Sequence, residues 1–185
     1  MRPKAENNRP AGRSEAGFSL LELVIAVSVL VMMTGVLSPA LVRYIEKGRE
    51  RRDRQNIEMV YNAVSGALYD ETAYDAFMSG QKKDGVYSAP IAVSTLFLQE
   101  DNFAEAVKDY VPTPPVLLSR KALGERQDAQ IMLSIREEID RSSGIRTMQV
   151  SVWAGDAEVC SGSDFYIGAA NRDLKLRETE PEENG

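Results

Sequence analysis

Residues 17–42 read GFSLLE followed by LVIAVSVLVMMTGVLSPALV, and this stretch decides how the chain is built. From Leu23 to Val42 there are 20 positions without a formal charge. A helix of that length rises about 30 Å, which matches the hydrocarbon thickness of a bilayer. A buried helix of a soluble domain rarely has this length without a charged face. The sequence therefore predicts a membrane-spanning helix.

One carboxylate, Glu22, stands at the start of this apolar run. Transfer of an ionised group to membrane depth is costly, so an acid in such a segment is a candidate functional residue. The segment before the run is polar and contains the basic residues Arg2, Lys4, Arg9 and Arg13. Residues 1–17 are therefore predicted to form a leader that precedes the helix.

A polar leader ending in Gly17, then Phe18, then a carboxylate four residues later resembles the N-terminus of type IV pilins and the related pseudopilins. The resemblance covers residues 13 to about 45. It implies that a prepilin peptidase cleaves between Gly17 and Phe18 and N-methylates the new amine of Phe18. It also implies a structural subunit of a type IV pilus or a type II secretion pseudopilus, assembled through its N-terminal helix.

The partners implied by the resemblance are like subunits, other minor pilins, the prepilin peptidase, and a membrane assembly platform with a cytoplasmic ATPase. It implies a single-pass protein with its N-terminus cytoplasmic before processing and its head extracytoplasmic, which enters a surface filament after assembly. The count of Lys and Arg does not favour that orientation, because four basic residues precede the span and six follow it between Arg43 and Arg54.

Glu22 needs a cation or a proton both in a membrane and in the apolar core of a filament. Under the resemblance, the amine of Phe18, from the same or a neighbouring subunit, is the nearest candidate. Because an unpaired charge there is strongly disfavoured, Phe18 and Glu22 are predicted to set the register of assembly.

Gly35 and Pro39 predict a weak point in the helix. The proline ring lacks an N–H and collides with the carbonyl four residues earlier, which belongs to Gly35. The resemblance implies that the backbone loosens here in assembled filaments, whereas a simple kink in a membrane helix is an equal alternative.

An ordinary secretory signal is the main alternative for the N-terminus. Small residues at Ser38 and Ala40 would place its cleavage before Leu41. The apolar run is longer than the roughly 7–15 residues of such a signal, and a signal leaves Glu22 unexplained.

Beyond the span the sequence predicts an α+β, pilin-like head. A helix from about Leu20 to Tyr69 has an apolar first half and an amphipathic second half, with Ile57, Val60 and Val64 on one side. A short helix is predicted from Ser94 to Tyr110. A small antiparallel sheet of three to four strands is predicted to pack on the long helix. Its candidate strands are Gln130–Arg136, Thr147–Ala154, Ala157–Ser161 and Phe165–Ala169.

These predictions give five regions. They are a leader (1–17), a transmembrane and polymerisation helix (18–42), an amphipathic helix (43–70), an α+β head (71–176) and a disordered acidic tail (177–185). From Gln55 onward there are 12 basic and 22 acidic residues, so the head repels phosphates and is not expected to bind nucleic acid directly.

The residue types present favour a structural role over catalysis. The chain has no histidine, and it has no phosphate-binding glycine loop, so neither an enzyme nor a cofactor is expected. Cys160 is the single cysteine, which excludes an intrachain disulfide and favours a small buried residue. Asp156, Glu158 and Asp164 could line a Ca²⁺ loop, but turn carboxylates are the preferred interpretation and no metal site is predicted.

Two other classes of protein stay open from the sequence. One is a single-pass membrane protein whose acidic head binds a partner without polymerising. The other is a secreted enzyme behind a conventional signal, which the missing histidine and the length of the apolar run disfavour.

Overall fold

The structure is a computed structural model that describes residues 19–81, 85–139, 144–169 and 174–176. The chain divides into two units after Val42. The helices are α1 (Leu20–Ala67), α2 (Glu71–Gly80), α3 (Val93–Leu96), α4 (Asn102–Tyr110) and α5 (Arg120–Leu123). The strands are β1 (Ile91–Ala92), β2 (Gln130–Ile139), β3 (Arg146–Gly155), β4 (Val159–Cys160), β5 (Tyr166–Gly168) and β6 (Lys175–Leu176), with one 3₁₀ turn at Ser163–Phe165.

The first part of α1, up to Val42, is apolar and exposed on all sides. In the part of the chain that the structure describes, α1 is the one helix long and apolar enough to cross a membrane. The hydroxyls of Ser28 and Thr34 donate to the carbonyls of Val24 and Leu30, each at 2.7 Å. These bonds satisfy the two hydroxyls within the helix, so neither needs a polar partner at membrane depth.

The second part of α1 is one-sided, as predicted. Ile57, Val60 and Val64 are fully buried and share one hydrophobic cluster with the sheet. Their spacing of three and four residues places them on one face of the helix. The helix ends at Ala67, two residues before the predicted end at Tyr69.

The two long strands form the centre of the sheet. β2 and β3 are antiparallel, and Leu133 lies opposite Val152. Leu133 and Val152 face the core shared with α1, whereas Trp153 lies with Met132 and Cys160 in a separate cluster on the other face. The strands predicted at Gln130–Arg136 and Thr147–Ala154 are therefore confirmed, and so is the α+β class.

The sheet is larger than predicted. In the described residues it has six strands in the order β1-β2-β3-β4-β6, with β5 also paired to β3. β4 and β6 pair in parallel, so the sheet is mixed rather than purely antiparallel. The two strands that the sequence did not predict, β1 and β6, have two residues each and are too short to show a period.

The helices between α1 and the sheet differ from the prediction. The single helix from Ser94 to Tyr110 is wrong, because the chain forms α3 and then α4. The carboxylate of Asp101 caps α4 by accepting the N–H of Ala104 at 2.8 Å, which starts a new helix at that point. Helix α2 was also missed, although Asp70 caps it in the same way through the N–H of Ala73.

Candidate membrane and assembly helix

Glu22 lies in the first turn of α1, where its side chain is exposed. A carboxylate at this end of a helix is stabilised by the exposed N–H groups and the helix dipole. The predicted cleavage residues Gly17 and Phe18 lie outside the described residues, as do the predicted leader and acidic tail. The pairing of Glu22 with the amine of Phe18 therefore stays a prediction.

Gly35 and Pro39 both lie inside α1. Pro39 has no N–H, so the carbonyl of Gly35 lacks its usual hydrogen-bond donor four residues later in the helix. A Cβ at Gly35 would meet no atom within 4 Å. Packing within the described chain therefore does not require a glycine at this position, and the predicted weak point stays a prediction.

The apolar side chains of residues 20–42 are uncovered. Leu20 is 80% exposed, Met32 72% and Val36 78%. A continuous apolar surface of this extent marks a contact with lipid or with other protein.

The segment that follows, residues 43–54, is called here the charged collar. Two of its three acids, Glu46 and Asp53, bond to the head through the N–H of Arg120 and of Ser119 respectively. Its basic residues are exposed; they are Arg43, Lys47, Arg49, Arg51, Arg52 and Arg54. Of these, Arg54 also pairs with the head. The collar therefore contacts the head mainly through its acids and exposes most of its basic residues.

Asp53 is the residue that sequence reasoning missed. Its side chain is fully buried and accepts three hydrogen bonds. These come from the N–H of Leu118 at 2.9 Å, and from the N–H and hydroxyl of Ser119 at 2.7 and 2.6 Å. The available signal was its position four residues before Ile57, which places it in line with the buried stripe.

Further side chains of α1 hold the same segment of the head. The amide of Asn56 donates to the carbonyl of Val116 at 3.1 Å. The Ser119 hydroxyl also accepts the N–H of Ala122, so the residue bonded to Asp53 caps α5. Hydrogen bonds of Asp53 and Asn56 therefore join α1 to the head. These two residues are three apart, which places them on the same side of the helix.

Asp164 forms a second link between α1 and the head. Its Oδ2 atom is 2.8 Å from Nη2 of Arg54 and 3.1 Å from Nζ of Lys121. The hydrogen bond from Lys121 and the positive charges of Lys121 and Arg54 lower the pKa of Asp164. This carboxylate is therefore engaged in ion pairs across the head.

The acids near β4 do not assemble a metal site in the described residues. Asp156 accepts the N–H groups of Glu158 and Val159 at 2.8 and 2.7 Å, a local turn. No group of three or more His, Cys, Asp or Glu in those residues is placed to hold a metal ion. Asp156 therefore acts as a turn residue.

Cys160 is fully buried, as predicted. Its Sγ atom lies 3.2 Å from the carbonyl oxygen of Gly162, and burial raises the pKa of the thiol. A thiol that is buried and protonated is a poor nucleophile. Cys160 is therefore a packing residue next to Trp153.

Comparison of the chain with protein-family models, with curated proteins and with solved structures finds no match. What the molecule can do is therefore argued from the exposed apolar helix, its carboxylate and the charged collar. Together these are compatible with a single-pass membrane protein that carries a folded head, and the exposed apolar surface of α1 is one that lipid or other protein can cover.

Proposed function

We propose that this chain is a pilin-like structural subunit of a type IV pilus or a type II secretion pseudopilus. It is made as a precursor, cleaved after Gly17, N-methylated on Phe18 and assembled with like subunits through residues 18–42. The observation that carries the proposal is the exposed apolar surface of residues 20–42 of α1 with a lone carboxylate, Glu22, in its first turn.

An uncovered apolar helix suits a subunit that moves from membrane to filament. Lipid tails are about as apolar as Leu and Val side chains, so exchanging lipid for neighbouring helices costs little in hydrophobic free energy. The two internally bonded hydroxyls, Ser28 and Thr34, tolerate either environment. The apolar surface of residues 20–42 can therefore be covered by lipid before assembly and by neighbouring helices afterwards.

Glu22 supplies the specificity that a uniformly apolar surface lacks. Helices that present only Leu, Val and Met can pack at many heights with similar energies. A carboxylate in the packed region is satisfied only where a cation lies opposite, so wrong heights are penalised. The freed amine of Phe18 is the proposed cation.

In this proposal the chain is the substrate of an enzyme and not an enzyme itself. The proposed partners are like subunits and minor pilins, the prepilin peptidase, and the assembly platform with its ATPase. The head would then lie outside the cytoplasm and later on the surface of a filament.

N-terminal sequencing of the chain purified from its native membrane tests the proposal. Phe18 as the first residue, dependent on the host's prepilin peptidase, is the expected result. A chain that starts at Leu41 would indicate a secretory signal. A chain that keeps residues 1–17 would indicate a single-pass anchored protein with a partner-binding head, and the proposal would fail.

A further inference from the structure

Three side chains of the charged collar form an exposed basic face, defined as Arg43, Lys47 and Arg51, which a spacing of four residues places on one side of α1. Within the described part of the chain, none of the three has an ion pair or a side-chain hydrogen bond. The neighbouring cations differ: Arg54 pairs with Asp164 at 2.8 Å, and Arg49 lies 3.5 Å from Glu46.

The acids of the collar form no ion pair with this face in the described residues. Asp53 is fully buried, and its oxygens accept two backbone N–H groups and a hydroxyl of the head. Glu46 accepts the N–H of Arg120. The third acid, Glu50, is half-buried and has no ion pair or side-chain hydrogen bond there. The fold therefore leaves the basic face without an ion-pairing partner.

The chain places this face beside the end of the apolar span. Arg43 directly follows Val42, the last residue of the uncharged run. Residues 43–51 are helical, so Arg51 lies about 12 Å along the axis from Arg43. The headgroup layer extends about 5–8 Å beyond the hydrocarbon core, and the Debye length is about 8–10 Å at ordinary ionic strength. All three cations of the basic face are therefore close enough to the end of the span to interact with headgroup charge.

We propose that the basic face binds anionic phospholipid headgroups while the chain is anchored in the membrane. The inference rests on the membrane span alone, and it requires neither cleavage nor polymerisation. The long Lys and Arg side chains can extend towards phosphates at the interface.

Two other polyanionic partners fit less well. A nucleic acid would also meet the rest of the head, where 22 acidic residues outnumber 12 basic ones from Gln55 onward. The acidic head of a second copy is brought to the face only on assembly, whereas the span brings headgroups to it in every inserted molecule. Lipid is therefore the occupant that the positions of these residues favour.

The test uses the full chain reconstituted in phosphatidylcholine bilayers that contain a minor fraction of phosphatidylglycerol. Spin-labelled forms of the two lipids give their relative association constants with the protein by electron paramagnetic resonance. We expect a preference for phosphatidylglycerol that weakens as salt is raised. Lys47→Gln/Arg51→Gln is expected to lower that preference at least about twofold, since each cation near an anionic surface contributes up to about fivefold.

The matched control is Arg126→Gln/Lys175→Gln, which removes the same two charges from exposed positions of the head. It is expected to keep the preference, and unchanged Trp153 emission checks that both variants stay folded. Equal losses in both variants, or no lipid preference in the unaltered chain, would overturn the inference. So would a collar variant that keeps the lipid preference and loses only cross-links between copies, because the face would then be a subunit contact.

The outcome is separable from that of the proposed function. A chain that keeps residues 1–17 and still prefers phosphatidylglycerol through the basic face supports this inference while the pilin proposal fails. A chain that is processed and forms filaments but shows no lipid preference would support the pilin proposal and contradict this inference.

Discussion

Asp53 is a buried carboxylate in a stretch of sequence that otherwise reads as solvated. The cost of removing its charge from water is offset by three donors, two of them backbone N–H groups. All three belong to Leu118 and Ser119, which are 65 and 66 residues away along the chain. One side chain thus fixes where a distant segment of the head meets α1.

Asp53→Ala is expected to lower the free energy of unfolding of the head by on the order of 3 kcal/mol, because each buried donor left without an acceptor costs roughly 1–3 kcal/mol. Denaturant unfolding of the full chain in detergent, followed by the emission of the fully buried Trp153, measures the change. Glu58→Ala, at an exposed position on the same helix, is the control and is expected to stay within about 0.5 kcal/mol of the unaltered chain. Equal effects of the two substitutions would contradict the role given to Asp53.

Asp164 makes the stability of the head depend on pH in the acid range. Its pKa is lowered in the folded state by Lys121 and Arg54, so its contribution to stability is present above the unfolded pKa and is lost as pH falls through the folded value. The carboxylate is partly exposed, so the contribution stays below about 1 kcal/mol. The stability difference between the unaltered chain and Asp164→Asn is therefore expected to shrink as pH falls from 7 to 3. A difference that does not vary with pH would show that the ion pairs contribute nothing.

Among the secondary-structure elements, hydrophobic periodicity in the sequence identified the long helix and strands and missed the short ones. The buried stripe of α1 and the alternation in β2 and β3 extend over many residues, so their patterns were readable. β1 exists because Ile91 pairs with Leu133, about forty residues later, and nothing local to β1 shows that partner. The boundaries of α2 and α4 depend on single capping aspartates, which a search for apolar spacing overlooks.

The cap of α4 carries a prediction at this scale. Asp101 accepts the N–H of Ala104 with one oxygen and the Tyr87 hydroxyl with the other, at 2.7 Å. Asp101→Ala is expected to destabilise the head by about 1–2 kcal/mol, because it removes a helix cap and orphans a partly buried hydroxyl. Thermal unfolding followed by circular dichroism measures the loss.

Two control variants interpret that loss. Asp109→Ala removes an exposed acid from the other end of α4 and is expected to be neutral or slightly stabilising, since an acid there interacts unfavourably with the helix dipole. In a Tyr87→Phe background, the cost of Asp101→Ala is expected to fall, because the hydroxyl is already absent. If Asp101→Ala destabilises the Tyr87→Phe chain as much as the unaltered chain, the whole destabilisation comes from loss of the helix cap.

For the molecule as a whole, the candidate site was predictable in its membrane part and not in its collar. The apolar run and Glu22 are contiguous in sequence, so composition alone identified them. The roles of Glu46 and Asp53 depend on backbone groups of the head that only the fold brings near, such as the N–H of Arg120. The sequence of the collar therefore indicated a uniform charged stretch, although two of its acids bond to the head.

Glu22→Val tests whether the membrane part directs assembly. We expect a chain that inserts in the membrane and begins at Phe18 but enters filaments much less often, because the register cue is gone. Ser28→Val, which replaces another polar group of the same helix whose hydroxyl is already bonded internally, is the control. Filament yield by immunolabelled electron microscopy and N-terminal sequencing are the measurements. Normal incorporation of the Glu22 variant would remove this carboxylate from the mechanism.

The bond network of Asp53 decides where the head can be cut from its anchor. A soluble fragment that starts at Gln55, just after the last arginine of the collar, would discard the acceptor for Leu118 and Ser119 and one of the two cations paired with Asp164. A fragment that starts at Arg43 keeps all of these bonds and omits the apolar run. Crystallisation or ligand screening of the head is therefore best begun with the longer fragment, despite its extra positive charge.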